Sequence, residues 1–145
     1  MECLDASVVV KWFKSDEADR NDALELFHKA VKTNGKYVAS EWLILEVVRA
    51  LVKNGISAQD IEEDYRIIKR LLERGAIKTL PVTEVLELAK DIQIRLHLYA
   101  ADAVHLATAI STGSSVRWTE DDHLRKKSVK EYAAGYGLAV KRLEE

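Results

Sequence analysis

The chain predicts an α/β sandwich with a mostly parallel sheet. Two observations carry this: short β-prone runs alternate with helical periodicity along the whole length, and the connections between them are marked by Gly, Asn and Ser. The 145 residues suit one domain, 1–145, able to bury roughly two-thirds of its unfolded surface. With 48% apolar and 32% charged residues the chain reads as globular rather than disordered.

Cys3-Leu4-Asp5 is the first expected strand. Asp5 and Ser7 interrupt it, so the strand is placed to end near Asp5, with Ser7 capping a helical turn through Trp12 and Phe13. Asp16 to about Thr33 follows as helix, its stripe Ala23, Leu26, Phe27 and Ala30 and its stop Asn34-Gly35. Tyr37-Val38-Ala39 is a strand, and Ser40 is the expected cap of a helix from Glu41 to about Lys53. Ser57, with Asp60 three residues on, opens a helix running through Ile61, Tyr65, Ile68 and Leu72 to Gly75. Ile77 to Leu80 is the third strand. Thr83 is the expected cap of a long helix that breaks near Leu98-Tyr99, before another helix over Ala101 to Ile110. Val116 to Thr119 is the fourth strand, Asp122 to Ala133 one helix, and Leu138 to Leu143 the closing strand.

Charge narrows the function. Lys and Arg number 22 against 24 Asp and Glu, a net charge of -2, which argues against binding nucleic acid by bulk charge alone. Clustered carboxylates with bound cations would escape that argument. One cysteine, Cys3, excludes an intramolecular disulfide and a cysteine-rich zinc site. The start lacks a basic segment followed by a long apolar one, and no stretch approaches 18 apolar residues, so the expectation is a cytoplasmic protein with no membrane span.

Four acids stand out because each lies in or beside an apolar segment: Asp5, Glu46, Asp102 and Asp121. A lone buried carboxylate costs several kcal/mol in effective terms, of order ~2–7 for a polar group left without a partner and more for a charge. Parallel sheets bind ligands beyond the carboxyl ends of their strands, where Asp5 and Asp121 fall. A divalent cation would remove the repulsion among such acids, and oxygen donors of this kind suit Mg²⁺ or Mn²⁺. Each acid also has an ordinary alternative. Asp5 is a turn or cap, Glu46 pairs with Arg49 on its own helix, Asp102 is a first-turn acid favoured by the helix dipole, and Asp121 is a turn residue whose place Glu120 or Asp122 takes.

Other candidates weigh less. His105 sits three residues after Asp102, but His28, His97 and His123 have no zinc-ligand spacing with it, and it reads as a helical histidine with a hydrogen-bond partner near the groove. Lys11, Lys14, Arg125, Lys126, Lys127 and Lys130 read as solvated charges rather than phosphate contacts. Trp12, Trp42 and Trp118 have the shape to stack on bases, yet their apolar neighbours favour core or dimer packing.

Taken together, Leu4-Asp5-Ala6-Ser7, Glu46 before Ala50-Leu51, the run Asp102-Ala103-Val104-His105-Leu106-Ala107-Thr108-Ala109 and Thr119-Glu120-Asp121-Asp122-His123-Leu124 resemble the PIN-domain ribonucleases, and among them the VapC-type toxins of bacterial and archaeal toxin–antitoxin pairs. The resemblance covers essentially the whole chain. It implies a three-layer α/β/α sandwich, a homodimer, and Mg²⁺- or Mn²⁺-dependent hydrolysis of single-stranded or structured RNA by water, leaving a 5′-phosphate and a 3′-hydroxyl. It places metal and catalysis on Asp5, Glu46, Asp102 and Asp121, with Ser7, Thr119, Glu120 and Asp122 supporting them by hydrogen bonds or through water. It also implies a cognate antitoxin that blocks the acidic groove. The competing classes are a DNA-directed nuclease, a carboxylate-rich phosphatase, and a noncatalytic nucleic-acid- or protein-binding domain of the same fold.

Overall fold

A computed structural model describes residues 1–14 and 20–145. Five short strands, β1 (Glu2–Leu4), β2 (Tyr37–Ser40), β3 (Ile77–Leu80), β4 (Val116–Trp118) and β5 (Ala139–Lys141), form one sheet in the order β3-β2-β1-β4-β5. Every pairing is parallel, which demands a crossover between successive strands. Among the described residues, seven α-helices supply these crossovers: α1 (Ala6–Val9), α2 (Arg20–Lys32), α3 (Leu43–Lys53), α4 (Ala58–Glu73), α5 (Val82–Leu96), α6 (Ala100–Ser111) and α7 (Lys127–Ala134). The result is the three-layer α/β/α sandwich expected from the sequence.

Two cores lie on the two sheet faces. Leu4, Tyr37, Ala39 and Ile77 face α1 to α4, where Leu43, Val47 and Leu51 form the buried stripe of α3 at helical spacing. Cys3, Val38 and Val140 face α5 to α7, packing on Val85, Ala89, Ile92, Leu106, Val129 and Ala133. Strand alternation therefore places Asp5, two residues after Cys3, toward the α6 side, and it does the same for Arg117, whose register partner is Cys3.

Several boundaries differ from the sequence expectation. Asp5, not Ser7, caps α1: its carboxylate accepts the Ser7 N–H, and the Ser7 hydroxyl itself donates to Asp5 at 2.6 Å. The expected helix start at Asp16 lies outside the described residues, and the described helix runs from Arg20. Ser40 belongs to β2 and accepts the Trp42 N–H at 3.2 Å, so α3 begins only at Leu43. Thr83 does not cap α5, because Pro81 occupies the cap position and Glu41 Oε1, at the end of the adjacent strand β2, accepts the Val82 N–H at 2.8 Å. The expected helix over Asp122 to Ala133 is two pieces, a 3₁₀ turn over Asp122–Arg125 and α7, separated by an extended Lys126 (ψ 150°). The break allows Leu124 to be buried by the turn while Val129 and Ala133 pack from α7. The closing strand is only Ala139–Lys141, as long as the β4 segment that pairs with it. The break near Leu98 is real, and His97 makes it by adopting a left-handed conformation (φ 57°) at the end of α5. Among the described residues, no helix is long and apolar enough to cross a membrane.

Candidate active site

The strand order changes direction at β1: the chain moves outward through β2 and β3, then returns to place β4 on the other side of β1. Such a switch point opens a crevice at the carboxyl ends of the strands. A cavity of about 700 Å³ lies there, and Asp5, Glu46, Asp102 and Asp121 all line it. Asp5 follows β1, Asp121 follows β4, Glu46 projects from α3 at the edge of its buried stripe, and Asp102 stands in the first turn of α6. Trp42, Leu45 and Ala50 form an apolar wall on α3, with Arg49 and Lys53 beside it.

Each acid is held by specific partners. Asp5 is buried, and its Oδ1 accepts from Arg117 Nη2 at 2.8 Å while Oδ2 accepts from the Ser7 and Thr119 hydroxyls at 2.6 and 3.0 Å. Burial pushes the Asp5 pKa up, but the Arg117 and His105 charges and the two hydroxyl bonds outweigh it, so the carboxyl lies below the ordinary aspartate range. Glu46 is bonded to His105 Nε2 of α6, not to Arg49, and His105 itself is fully buried. Asp121 Oδ1 accepts the His123 N–H at 2.8 Å, which starts the 3₁₀ turn. Asp102 is less well compensated: burial, then the negative charges of Asp121 and Asp5, raise its pKa against the opposing pull of His105 and Arg117.

The three adjacent acids of the β4 loop separate by environment. Asp121 lines the cavity. Glu120 turns away to ion pairs with Lys11 at 3.6 Å and Arg142 at 3.4 Å, and its side chain is nearly buried. Asp122 is exposed and pairs with Arg125 at 2.8 Å. Ser7 and Thr119 knit the loop to β1, since Ser7 Oγ accepts the Glu120 N–H at 2.9 Å and Thr119 Oγ1 accepts the Asp121 N–H at 3.1 Å.

The structure thus gathers the four acids around one cavity without drawing them to a point: among the described residues, no three His, Cys, Asp or Glu side chains form a ready set of metal ligands. Asp5 and Glu46 are turned toward their own cationic or imidazole partners. In chemistry, however, the donor set suits a hard divalent ion, and the raised proton affinity of Asp102 marks negative charge that a cation would relieve.

Sequence reasoning missed one participant. Arg117 is fully buried in mid-strand between Val116 and Trp118, and strand alternation offered the clue, because an inward arginine requires a carboxylate partner. Trp42, weighed as a base-stacking residue but expected in a core or dimer contact, is not in the core: it is exposed on the cavity wall because it precedes α3 rather than joining its buried stripe. Trp12 is buried in the core, as expected.

Comparisons with known proteins agree with the architecture. A comparison with curated proteins finds no match. Among solved structures, a chain described as "Structure of FitAB bound to IR36 DNA fragment" superposes with a TM-score of 0.69 at 16% identity, covering 100% of this chain and 96% of that one. At that identity the likeness is one of fold. The profile of the PIN domain family matches residues 3–130, nearly the whole chain and all four cavity acids, and the chain belongs to the PIN domain family.

Proposed function

We propose that the chain is a divalent-metal-dependent endoribonuclease that hydrolyses phosphodiesters of single-stranded RNA, leaving a 5′-phosphate and a 3′-hydroxyl, and that it serves as the toxin of a toxin–antitoxin pair. One observation carries the reading: four carboxylates from four separate segments line one cavity at the switch point of a parallel sheet, in a chain of the PIN domain family. Asp5, Glu46, Asp102 and Asp121 would hold Mg²⁺ or Mn²⁺, directly or through water. Bound there, the ion supplies polarisation of water and neutralisation of charge on the phosphoryl group.

The chain's own residues do the remaining work. Ser7 and Thr119 hold the Asp5 carboxylate by their hydroxyls and tie Asp121 to β1 through the β4 loop. His105 orients Glu46 across the cavity. Arg49 and Lys53 offer positive charge to backbone phosphates at the cavity edge, and Trp42 offers a flat face to a base. The same wall, apolar and bordered by carboxylates, suits a cognate antitoxin segment with apolar and basic side chains, and a homodimer completes the reading.

The test is hydrolysis of RNA, single-stranded DNA and a small phosphomonoester side by side, with Mg²⁺, with Mn²⁺ and with chelator. RNA cleavage that chelator abolishes and that Asp5→Asn or Asp102→Asn removes is the expected result. Turnover of the phosphomonoester alone, or undiminished cleavage by those variants, would refute it.

A further inference from the structure

The β4 loop that carries Asp121 is held from behind as well as from the cavity side. Glu120 does not line the cavity, and its side chain is only 9% exposed. A carboxylate so nearly buried needs counter-charge. Lys11 and Arg142 supply it from two different segments: Lys11 Nζ, in the turn after α1, lies 3.6 Å from Oε1, and Arg142 Nε, one residue past β5, donates to Oε2 at 3.4 Å.

The closing segment of the chain grips the same loop at two further points. The Lys141 carbonyl accepts the Thr119 N–H at 3.0 Å, and Glu145 reaches Arg125, the last residue of the 3₁₀ turn that Asp121 caps, at 3.8 Å. Leu143, between these contacts, is buried in the core, and the Arg142 N–H donates to Glu145 Oε2 at 3.2 Å. The segment is therefore anchored on both sides of Arg142. None of it falls within residues 3–130, which the family profile matches.

We infer that Arg142 is a positioning residue: through Glu120 it fixes the β4 loop so that Asp121 faces the cavity, which makes the segment after β5 part of the framework of the site. Arg142 acts through Glu120 and the backbone rather than on substrate. The inference rests on the metal-dependent reading above, because Asp121 has an ion to hold only if that reading stands.

Arg142→Gln tests it, since the sign of the effect separates positioning from charge. Removing a cation near an acidic cavity would by electrostatics alone tighten binding of a divalent ion. Loss of positioning should instead weaken it, by about tenfold, the lower end of the range for outer partners of metal ligands. The measurements are Mn²⁺ affinity by calorimetry and RNA cleavage kinetics on the full chain, with circular dichroism as the check on folding. Weaker Mn²⁺ binding with a lowered kcat, recovered in Arg142→Lys, is the expected result, and Glu144→Gln, which breaks the exposed pair of the same guanidinium at 3.6 Å, should change neither. Unchanged or tighter Mn²⁺ binding by folded Arg142→Gln overturns the inference and leaves the nuclease reading standing. So does a rise in KM with Mn²⁺ affinity unchanged, which would make Arg142 a phosphate contact. If the wild-type chain neither binds Mn²⁺ nor cleaves RNA, both readings fall. In a Glu120→Gln background Arg142→Gln should have no further effect on Mn²⁺ affinity. A further change there would show that Arg142 does not act through Glu120, and this pair keeps the test decisive if Arg142→Gln alone does not fold.

Discussion

Arg117 and Asp5, held on neighbouring strands by the Cys3–Arg117 register, form a buried ion pair at 2.8 Å directly beneath the acidic cavity. Removing one partner of such a pair leaves an uncompensated buried charge, which typically costs about 3–5 kcal/mol. Arg117→Met and Asp5→Asn should each lower stability on that scale. The double variant should recover much of the loss, and urea unfolding of the four proteins in a double-mutant cycle measures the coupling.

The two aspartates on either side of this pair predict opposite responses to acid in the metal-free protein. The folded-state pKa of Asp5 is depressed, so its contribution to stability is present above about pH 4 and is lost as pH falls through the lower folded value. Asp102 has a raised folded-state pKa, so it opposes folding at neutral pH, and that penalty is gone once pH falls below about 4. Asp102→Asn should therefore be more stable than wild type at pH 7 without metal, with the advantage vanishing under acid. Thermal melts across pH, with and without Mg²⁺, check both signs, and Mg²⁺ should narrow the gap at pH 7.

Glu46 owes its orientation to His105, which is buried while Glu46 is partly exposed. Partners that orient a metal-binding carboxylate usually affect affinity about 10- to 100-fold. His105→Leu should weaken Mn²⁺ binding on that scale while the protein remains folded. Unchanged Mn²⁺ affinity in a folded His105→Leu protein would show that the contact is structural only.

Arg49 and Lys53 line the cavity and predict salt-sensitive RNA binding. In an Asp102→Asn background that does not cleave, each Lys or Arg contact to single-stranded phosphate should contribute about 0.7 to the slope of log K against log salt. Arg49→Ala should weaken RNA binding and flatten that slope by about this amount, with little effect on Mn²⁺ binding. Fluorescence anisotropy at several salt concentrations reads both quantities.

His97 is the one non-glycine residue among those described with a positive φ, 57°, and it is exposed at the end of α5. Left-handed backbone costs a side-chain-bearing residue roughly 1–2 kcal/mol, so His97→Gly should raise stability by about 1 kcal/mol. Chemical denaturation would detect the shift in midpoint.

Much of the local structure was legible. Ser57 caps α4 where Asp60 marks its first turn, and Asn54-Gly55 stops α3 with Gly55 at φ 74°. Local rules failed where a distant group intervened. Glu41, just after the neighbouring strand β2 but 41 residues away in sequence, supplies an acceptor at the start of α5, and Asp5 captures the Ser7 hydroxyl that would otherwise cap α1 itself. The split of the Asp122–Ala133 helix follows from Asp121 binding the His123 N–H and from the need to bury Leu124, neither of which periodicity expresses.

The amino-acid order alone determined the alternation of strands and helices, hence a parallel sheet, and it singled out Asp5, Glu46, Asp102 and Asp121 because carboxylates are misplaced among apolar neighbours. Only the tertiary structure decided which of Glu120, Asp121 and Asp122 faces the cavity, that Glu46 answers to His105 rather than Arg49, and that Arg117 lies under Asp5. The physical reason is range. Periodicity and capping act within a few residues of one chain segment, whereas the partner of a buried charge is set by strand register and by helix packing across the sheet.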